Sequence, residues 1–174
     1  DAPGPTALLK VVPGKRGGFA LSAQADRQAP LKLDRRSSLA DVAVAAALGN
    51  PWARSRDRGV YKTTDGGKTW RQVLFTSDSV GAIDVEFNAA NPDEIYAAMW
   101  RGERKPWTII SGMQAAGRED GIWKSTDGGE TWRIVTQGLP TGLIGKIDLA
   151  VTPADPRRVY ALVETTDPNE GLYR

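Results

Sequence analysis

The sequence predicts an all-β chain built from repeated four-stranded antiparallel units. Three observations carry this. Gly59 to Val73 reads GVYKTTDGGKTWRQV and Gly121 to Val135 reads GIWKSTDGGETWRIV, an offset of 62. A second pair of segments, AIDVEFNAANPDEIYAAMW at 82–100 and KIDLAVTPADPRRVYALVE at 146–164, aligns without a gap at an offset of 64. Gly occurs 19 times and Pro 11 times, helical periodicity is nearly absent, and this composition suits short strands joined by turns. With 40% hydrophobic residues in 174, the chain is long and apolar enough to bury a core.

Residues 1–28 have scattered Pro and Gly and no sustained alternation, so an irregular lead-in is expected there. Ala7 to Val12 and Phe19 to Ser22 are its two strand-like stretches. From Leu31 the segment LKLDRRSSLADVAVAAALG, residues 31–49, resembles the two later ones loosely. Each of the three reads as strand, turn, strand. Ile83, Val85 and Phe87 alternate with Asp84 and Glu86, the period of a strand. Asn91-Pro92-Asp93 and Asp155-Pro156-Arg157 are turn signals, because Pro fixes φ and Asn or Asp caps the turn. Ile95 to Trp100 and Val159 to Glu164 are the return strands.

The duplicated stretch follows and is itself a hairpin. Val60-Tyr61-Lys62 leads in, Trp70 to Val73 leads out, and Gly66-Gly67 lies where positive φ is needed. The unit is therefore four strands, A to D, in roughly 60 residues, and tandem four-stranded units are the signature of propeller blades. The expected fold is a partial β-propeller of two and a half blades. A weak first blade covers 29–75, a complete second 76–136 and a truncated third 137–174. Strands of the complete unit fall near 82–88, 95–100, 121–125 and 131–135. The chain opens at Asp1 without Met and closes inside the repeat at Gly171 to Arg174, so a piece of a longer protein is expected.

Composition removes several chemistries. With 0 Cys there is no disulfide and no thiolate metal site. With 0 His there is no Ser-His-Asp or Cys-His catalysis and no imidazole ligand for zinc. No cofactor and no metal are expected. The net charge is only +2 and the basic residues form no single cluster, which argues against nucleic acid. No apolar run reaches the length of a membrane span, and no signal peptide is visible.

The duplicated stretch matches the pattern Ser/Thr-x-Asp-x-Gly-x-Thr-Trp. Thr63, Asp65, Gly67, Thr69 and Trp70 fill it once; Ser125, Asp127, Gly129, Thr131 and Trp132 fill it again. This resembles the Asp-box, or BNR repeat, with a wider context most similar to bacterial sortilin-type propellers, often labelled glycosyl-hydrolase-like. Xyloglucanases, sialidases and photosystem assembly propellers share the box. The box residues read as structural. The Asp accepts hydrogen bonds from its own turn, the Gly supplies a conformation that a Cβ forbids, and the Trp is expected to bury its ring between sheets. One carboxylate per box is too few for a calcium loop. The resemblance implies that the boxes, as C–D turns, lie on the face away from the ligand, and that the parent protein is secreted or periplasmic.

Ligands are then expected at the B–C and D–A connections. These are GNPWARSRDR at 49–58, TSDSVG at 76–81, RGERKPWTIISGMQAAGRED at 101–120 and QGLPTGLIG at 137–145. The third is long for a hairpin connection and reads as a functional loop. Trp52, Arg54, Asp78, Arg101, Arg104 and Trp107 are the candidate ligand-binding residues. Trp beside Arg suits a polysaccharide or a protein or peptide ligand with acidic groups. The competing reading makes Trp52 and Trp107 anchors of their own loops, since Pro51 and Pro106 precede them in the same way. Glycoside hydrolysis requires two carboxylates flanking the scissile bond. Asp57, Asp78, Glu103, Glu119 and Asp120 are available, and none is set apart as catalytic. Asp84 and Asp148 repeat at 64 and read as anchors between blades. The expected role is a structural and binding segment that works with the rest of its parent propeller. The alternative is part of a carbohydrate-active glycoside hydrolase.

Overall fold

The computed structural model describes residues 7–13, 21–25, 42–88, 90–113, 118–152, 154–166, 168 and 170–174. Every regular element among them is a strand. The elements are β1 (Ala7–Pro13), β2 (Leu21–Ala25), β3 (Ala43–Ala47), β4 (Gly59–Thr63), β5 (Arg71–Leu74), β6 (Val80–Asn88), β7 (Asn91–Arg104), β8 (Ile109–Ser111), β9 (Gly121–Ser125), β10 (Arg133–Val135), β11 (Ile144–Val151), β12 (Val159–Thr165) and β13 (Gly171–Tyr173). They form three antiparallel sheets. The first runs β2-β1-β3-β4-β5, the second β10-β9-β7-β6 with β8 on the far end of β7, and the third β11-β12-β13. The four strands expected near 82–88, 95–100, 121–125 and 131–135 are the second sheet, in chain order as a meander.

The second sheet packs between the other two. This explains why Ile95 to Trp100 is apolar throughout rather than alternating: both faces are covered. Ile95, Ala97 and Met99 face the first sheet with Val44, Ala46 and Val60. Tyr96 and Ala98 face the third with Ile147, Leu149, Ala161 and Val163. β6 departs from simple alternation. Its register shifts between Ala82 and Asp84, which makes Ile83 an extra residue. Ile83 therefore packs toward the third sheet, whereas Val85 and Phe87 pack toward the first.

Three expectations are corrected. Where an irregular lead-in was expected, β1 and β2 extend the first sheet, and β1 pairs with β3 over Leu9↔Ala47 to Pro13↔Ala43. A central strand needs partners for its backbone on both edges, and β1 supplies those of β3. The strand expected at the start of 31–49 lies outside the described residues. The turn between β6 and β7 sits three residues before Asn91. Asn88 opens it, its Oδ1 accepting from the N–H of Ala90 at 3.0 Å and of Asn91 at 3.3 Å, and Pro92 is already inside β7. In the third sheet the Asp155 turn stands as expected, with its carbonyl accepting from Arg158 N–H at 2.9 Å. The long connection after Trp100 begins as a hairpin: β7 runs on to Arg104 and β8 pairs back, Gly102↔Ser111 to Arg104↔Ile109.

The duplicated hairpins are two copies of one hydrogen-bond set. Thr63 Oγ1 donates to Asp65 at 2.8 Å and accepts from Gly67 N–H at 2.9 Å; Asp65 accepts from the N–H and the hydroxyl of Thr69 at 2.9 and 2.6 Å. Ser125, Asp127, Gly129 and Thr131 repeat it. The Thr69 hydroxyl, then its N–H, then Thr63 hold the Asp65 carboxyl at about 2. The Trp rings differ from expectation. Trp70 and Trp132 are half-buried, at the margins of their clusters rather than fully enclosed.

Candidate functional site

One end of the sheets gathers the connection 49–58, the β7–β8 hairpin and the start of β11. Each is fastened by main-chain bonds. Asn50 Oδ1 accepts from Trp52 N–H at 2.9 Å, and Pro51 O accepts from Arg104 N–H at 2.7 Å, so the connection lies against the hairpin. Ser55 N–H donates to Asp78 O at 2.9 Å. Beneath them sits Arg58, 1% exposed, its Nη2 donating to the carbonyls of Asn50, Ala53 and Gly102 at 2.6, 3.4 and 3.2 Å. Burial lowers its pKa, and the nearby Glu103 and Asp78 oppose that.

Between these elements and the third sheet lies a groove of about 1040 Å³. Trp52, Arg104 and Ile109 form one wall; Lys146, Asp148, Leu162, Glu164 and Glu170 form the other; Trp100 and Ser111 close it. The Arg104 guanidinium stands 5.9 Å from the Trp52 ring centroid, and Trp52 is 46% exposed. Trp100 is buried between Gly102, where a Cβ would fall 2.3 Å from the ring, and Lys146, whose Nζ is 4.9 Å from the centroid. Its Nε1 donates to Ser111 Oγ at 2.9 Å. That hydroxyl donates to Glu164 Oε2 at 3.1 Å, and Lys146 N–H donates to the same oxygen at 2.7 Å. Glu164 is thus a carboxylate held in one orientation on the wall of a partly apolar groove.

Of the six candidate residues, Trp52 and Arg104 line this groove. Arg54 pairs with Asp78 at 3.1 Å outside it. Arg101 is half-buried on β7, opposite Val80. Trp107 stands at the tip of the β7–β8 hairpin, 96% exposed, so it anchors nothing. Of the five carboxylates considered, none lines the groove. Asp57 accepts from Ser55 Oγ at 3.1 Å, and Glu103 pairs with Lys105, which holds its pKa down. Glu119 lies in a separate surface pocket with Trp123 and Trp132. Asp120 is fully buried, with Arg118 Nε 3.7 Å away and neither oxygen accepting an aligned hydrogen bond. Burial raises its carboxyl to about 7, against the pull of Arg118, the Met113 N–H and Arg101.

Trp100, Ser111, Lys146 and Glu164 were not singled out from the sequence. Two glycines were the available signal. Gly102 admits the Trp100 ring, and Gly145 admits Glu164, whose carboxylate oxygen would lie 2.4 Å from a Cβ there. Among the described residues no cluster of acidic side chains fits a metal ion.

No family profile matches this chain. It is similar to the "Probable oligoxyloglucan-reducing end-specific xyloglucanase" of Neosartorya fischeri, 30% identical over 114 residues. The match takes in 64% of this chain and 13% of that protein, so the chain spans a small part of the relative's length.

Proposed function

We propose that this chain is a binding segment of a larger Asp-box β-propeller of sortilin-like design, and that its groove takes an oligosaccharide. The observation that carries the reading is the groove itself. A half-exposed Trp52 beside Arg104 offers a sugar a ring face and a hydrogen-bond donor, and Glu164 offers a fixed acceptor opposite. The groove lies at the B–C connections of the first two units, on the end away from the duplicated turns. The likeness to a xyloglucanase supports a β-glucan-like ligand over an acidic peptide. A polysaccharide ligand suits a secreted or periplasmic protein.

Calorimetric titration with xyloglucan oligosaccharides tests this. Trp52→Ala and Arg104→Ala should each weaken binding at least about tenfold, the worth of one good contact. Trp107→Ala should leave it unchanged. Equal affinity in Trp52→Ala, or binding only of acidic peptides, would overturn the reading. A second reading, a glycoside hydrolase, is favoured by one observation: Asp148 and Glu164 are two carboxylates on the same groove. Release of reducing ends that Glu164→Gln abolishes would establish it; binding without release would remove it.

A further inference from the structure

A second pocket, of about 450 Å³, lies between β5 of the first sheet and β9 and β10 of the second, and it shares no residue with the groove. Three aromatic rings line it: Phe75, 42% exposed, and the half-buried Trp123 and Trp132. Trp123 Nε1 donates to Glu119 O at 3.2 Å and Trp132 Nε1 to Gly129 O at 3.1 Å, so both indoles are fixed with their N–H groups taken. The chain is held close behind Phe75, since a Cβ on Gly59 would fall 2.0 Å from Leu74 O. At the offset of 62, Phe75 and Thr76 correspond to Gln137 and Gly138. Phe75 therefore extends an aromatic surface that the next unit does not build, and the pocket is not a by-product of the repeat.

The polar side chains around these rings leave one charge unmatched. Arg118 is 9% exposed, donates to the carbonyls of Pro140 and Gly142, and stands 3.7 Å from Asp120. Glu130 receives Lys62 at 2.9 Å and Arg71 at 2.7 Å. The Thr76 hydroxyl oxygen is shut off from solvent. Glu119 lines the pocket, and among the described residues its carboxylate has no ion pair and no hydrogen bond. The rings are unmatched in the same sense. Cations of the chain stand over three other aromatic faces: Arg104 over Trp52, Lys124 over Tyr96 and Lys146 over Trp100. Among the described residues none stands over Phe75, Trp123 or Trp132.

We infer that this pocket binds an organic ammonium cation, with a methylated ammonium group seated against Phe75, Trp123 and Trp132 and Glu119 as its counter-ion. Choline and a trimethylated lysine side chain both carry that group. A ring face attracts a cation through its quadrupole, and several rings around one cation add a carboxylate to the same attraction. The N-methyl groups also cover the apolar wall made by Val73 and Leu74, which a hydrated primary ammonium does not. A sugar is the poorer fit. Its hydroxyls look for donors as well as acceptors, and the donors here are committed to carbonyls and to Glu130. Because the pocket and the groove share no residue, the inference does not rest on what the groove binds.

The test follows the indole N–H signals of the 6 Trp by NMR during titration with choline and, in parallel, with the N-acetyl amide of trimethyllysine. The Trp123 and Trp132 signals should move together with a Kd of about 1 mM or below for at least one of the two, while those of Trp52 and Trp100 in the groove stay in place. The tighter of the two ligands tells a free small molecule from a side chain of a partner protein. The uncharged isostere of choline, with tert-butyl in place of trimethylammonium, should bind at least about tenfold more weakly. Glu119→Gln and Phe75→Ala should each weaken binding at least about threefold. Both are surface changes outside the apolar clusters, and an unmoved melting temperature shows that the fold is kept. Equal binding of the isostere, or unchanged affinity in Glu119→Gln, would overturn the inference. So would no shift of Trp123 up to about 30 mM of either cation, or a shift with xyloglucan oligosaccharides alone. Sugar binding that fails at the groove changes none of these outcomes.

Discussion

Arg58 and Asp120 occupy the same place in the repeat, each immediately before the glycine that opens a duplicated hairpin, 62 residues apart. Both are buried charges, at 1% and 0% exposure. The pairing was available in the sequence, but a charge next to glycine in a polar connection reads as a solvated turn. Only the surrounding strands desolvate it. Arg58 gives its Nη2 to three carbonyls while its Nε and Nη1 have no hydrogen-bond partner; Asp120 has a cation 3.7 Å away and no aligned donor. The consequence for pH follows in sign. The Asp120 carboxyl is raised to about 7 from an ordinary 3.8. Between those values the folded chain holds a proton that the unfolded chain releases, so stability falls as pH rises through that window and levels off above it. Asp120→Asn has no proton to lose. Its melting temperature should exceed that of the natural chain by about 4 °C or more at pH 8 and match it at pH 4. A difference that is constant across pH, or a less stable variant at pH 8, would show that Asp120 is ionised and well paired.

At the scale of single elements, strands with apolar alternation or continuous burial were legible, and the irregular connections were not. The β7–β8 hairpin shows why. Its sequence RGERKPWTIIS contains Gly, Pro and four charged residues, all loop signals, and its strand pairing depends on support from outside. Pro51 O takes the Arg104 N–H, Arg58 takes the Gly102 carbonyl, and Ser111 is bonded to Trp100 and Glu164. The turn after β6 was misplaced for a related reason. Pro92 is a strong marker, yet Asn88 closes a tighter turn and leaves Pro92 within the strand. Gly102 is the position on which the hairpin depends. An Ala Cβ would sit 2.3 to 2.6 Å from the Trp100 ring. Gly102→Ala should therefore displace the ring, cost about 1–3 kcal/mol as an overpacked site does, and loosen Glu164 with it. Chemical denaturation measures the first effect. A loss of sugar affinity without a change at Trp107 measures the second. A variant as stable as the natural chain would mean that the ring has room to move.

For the whole molecule, the order of sheets was legible because the repeat is long and its core residues recur, whereas the two links that couple the sheets were legible only in part. One is peripheral. Glu130 of the second hairpin receives Lys62 at 2.9 Å and Arg71 at 2.7 Å from the first sheet, which holds its pKa down. Such exposed pairs are screened by salt and contribute little. The other is Asp84, whose repetition at Asp148 marked it as an anchor and whose acceptor role toward Leu149 is seen only with the sheets assembled. Asp84→Ala removes a charged hydrogen bond and leaves the Leu149 N–H buried without its acceptor, a change of about 2–4 kcal/mol. The third sheet has three strands and depends on this contact more than the second, which is also covered by the first. Amide exchange in Asp84→Ala should therefore accelerate across β11 and β12 while the β7 amides that face β6 keep their protection. If β6, β7, β11 and β12 accelerate together, the two sheets unfold as one unit and the apolar contact alone couples them. If exchange in β11 is unchanged, the Asp84 bond is not what holds the third sheet in place.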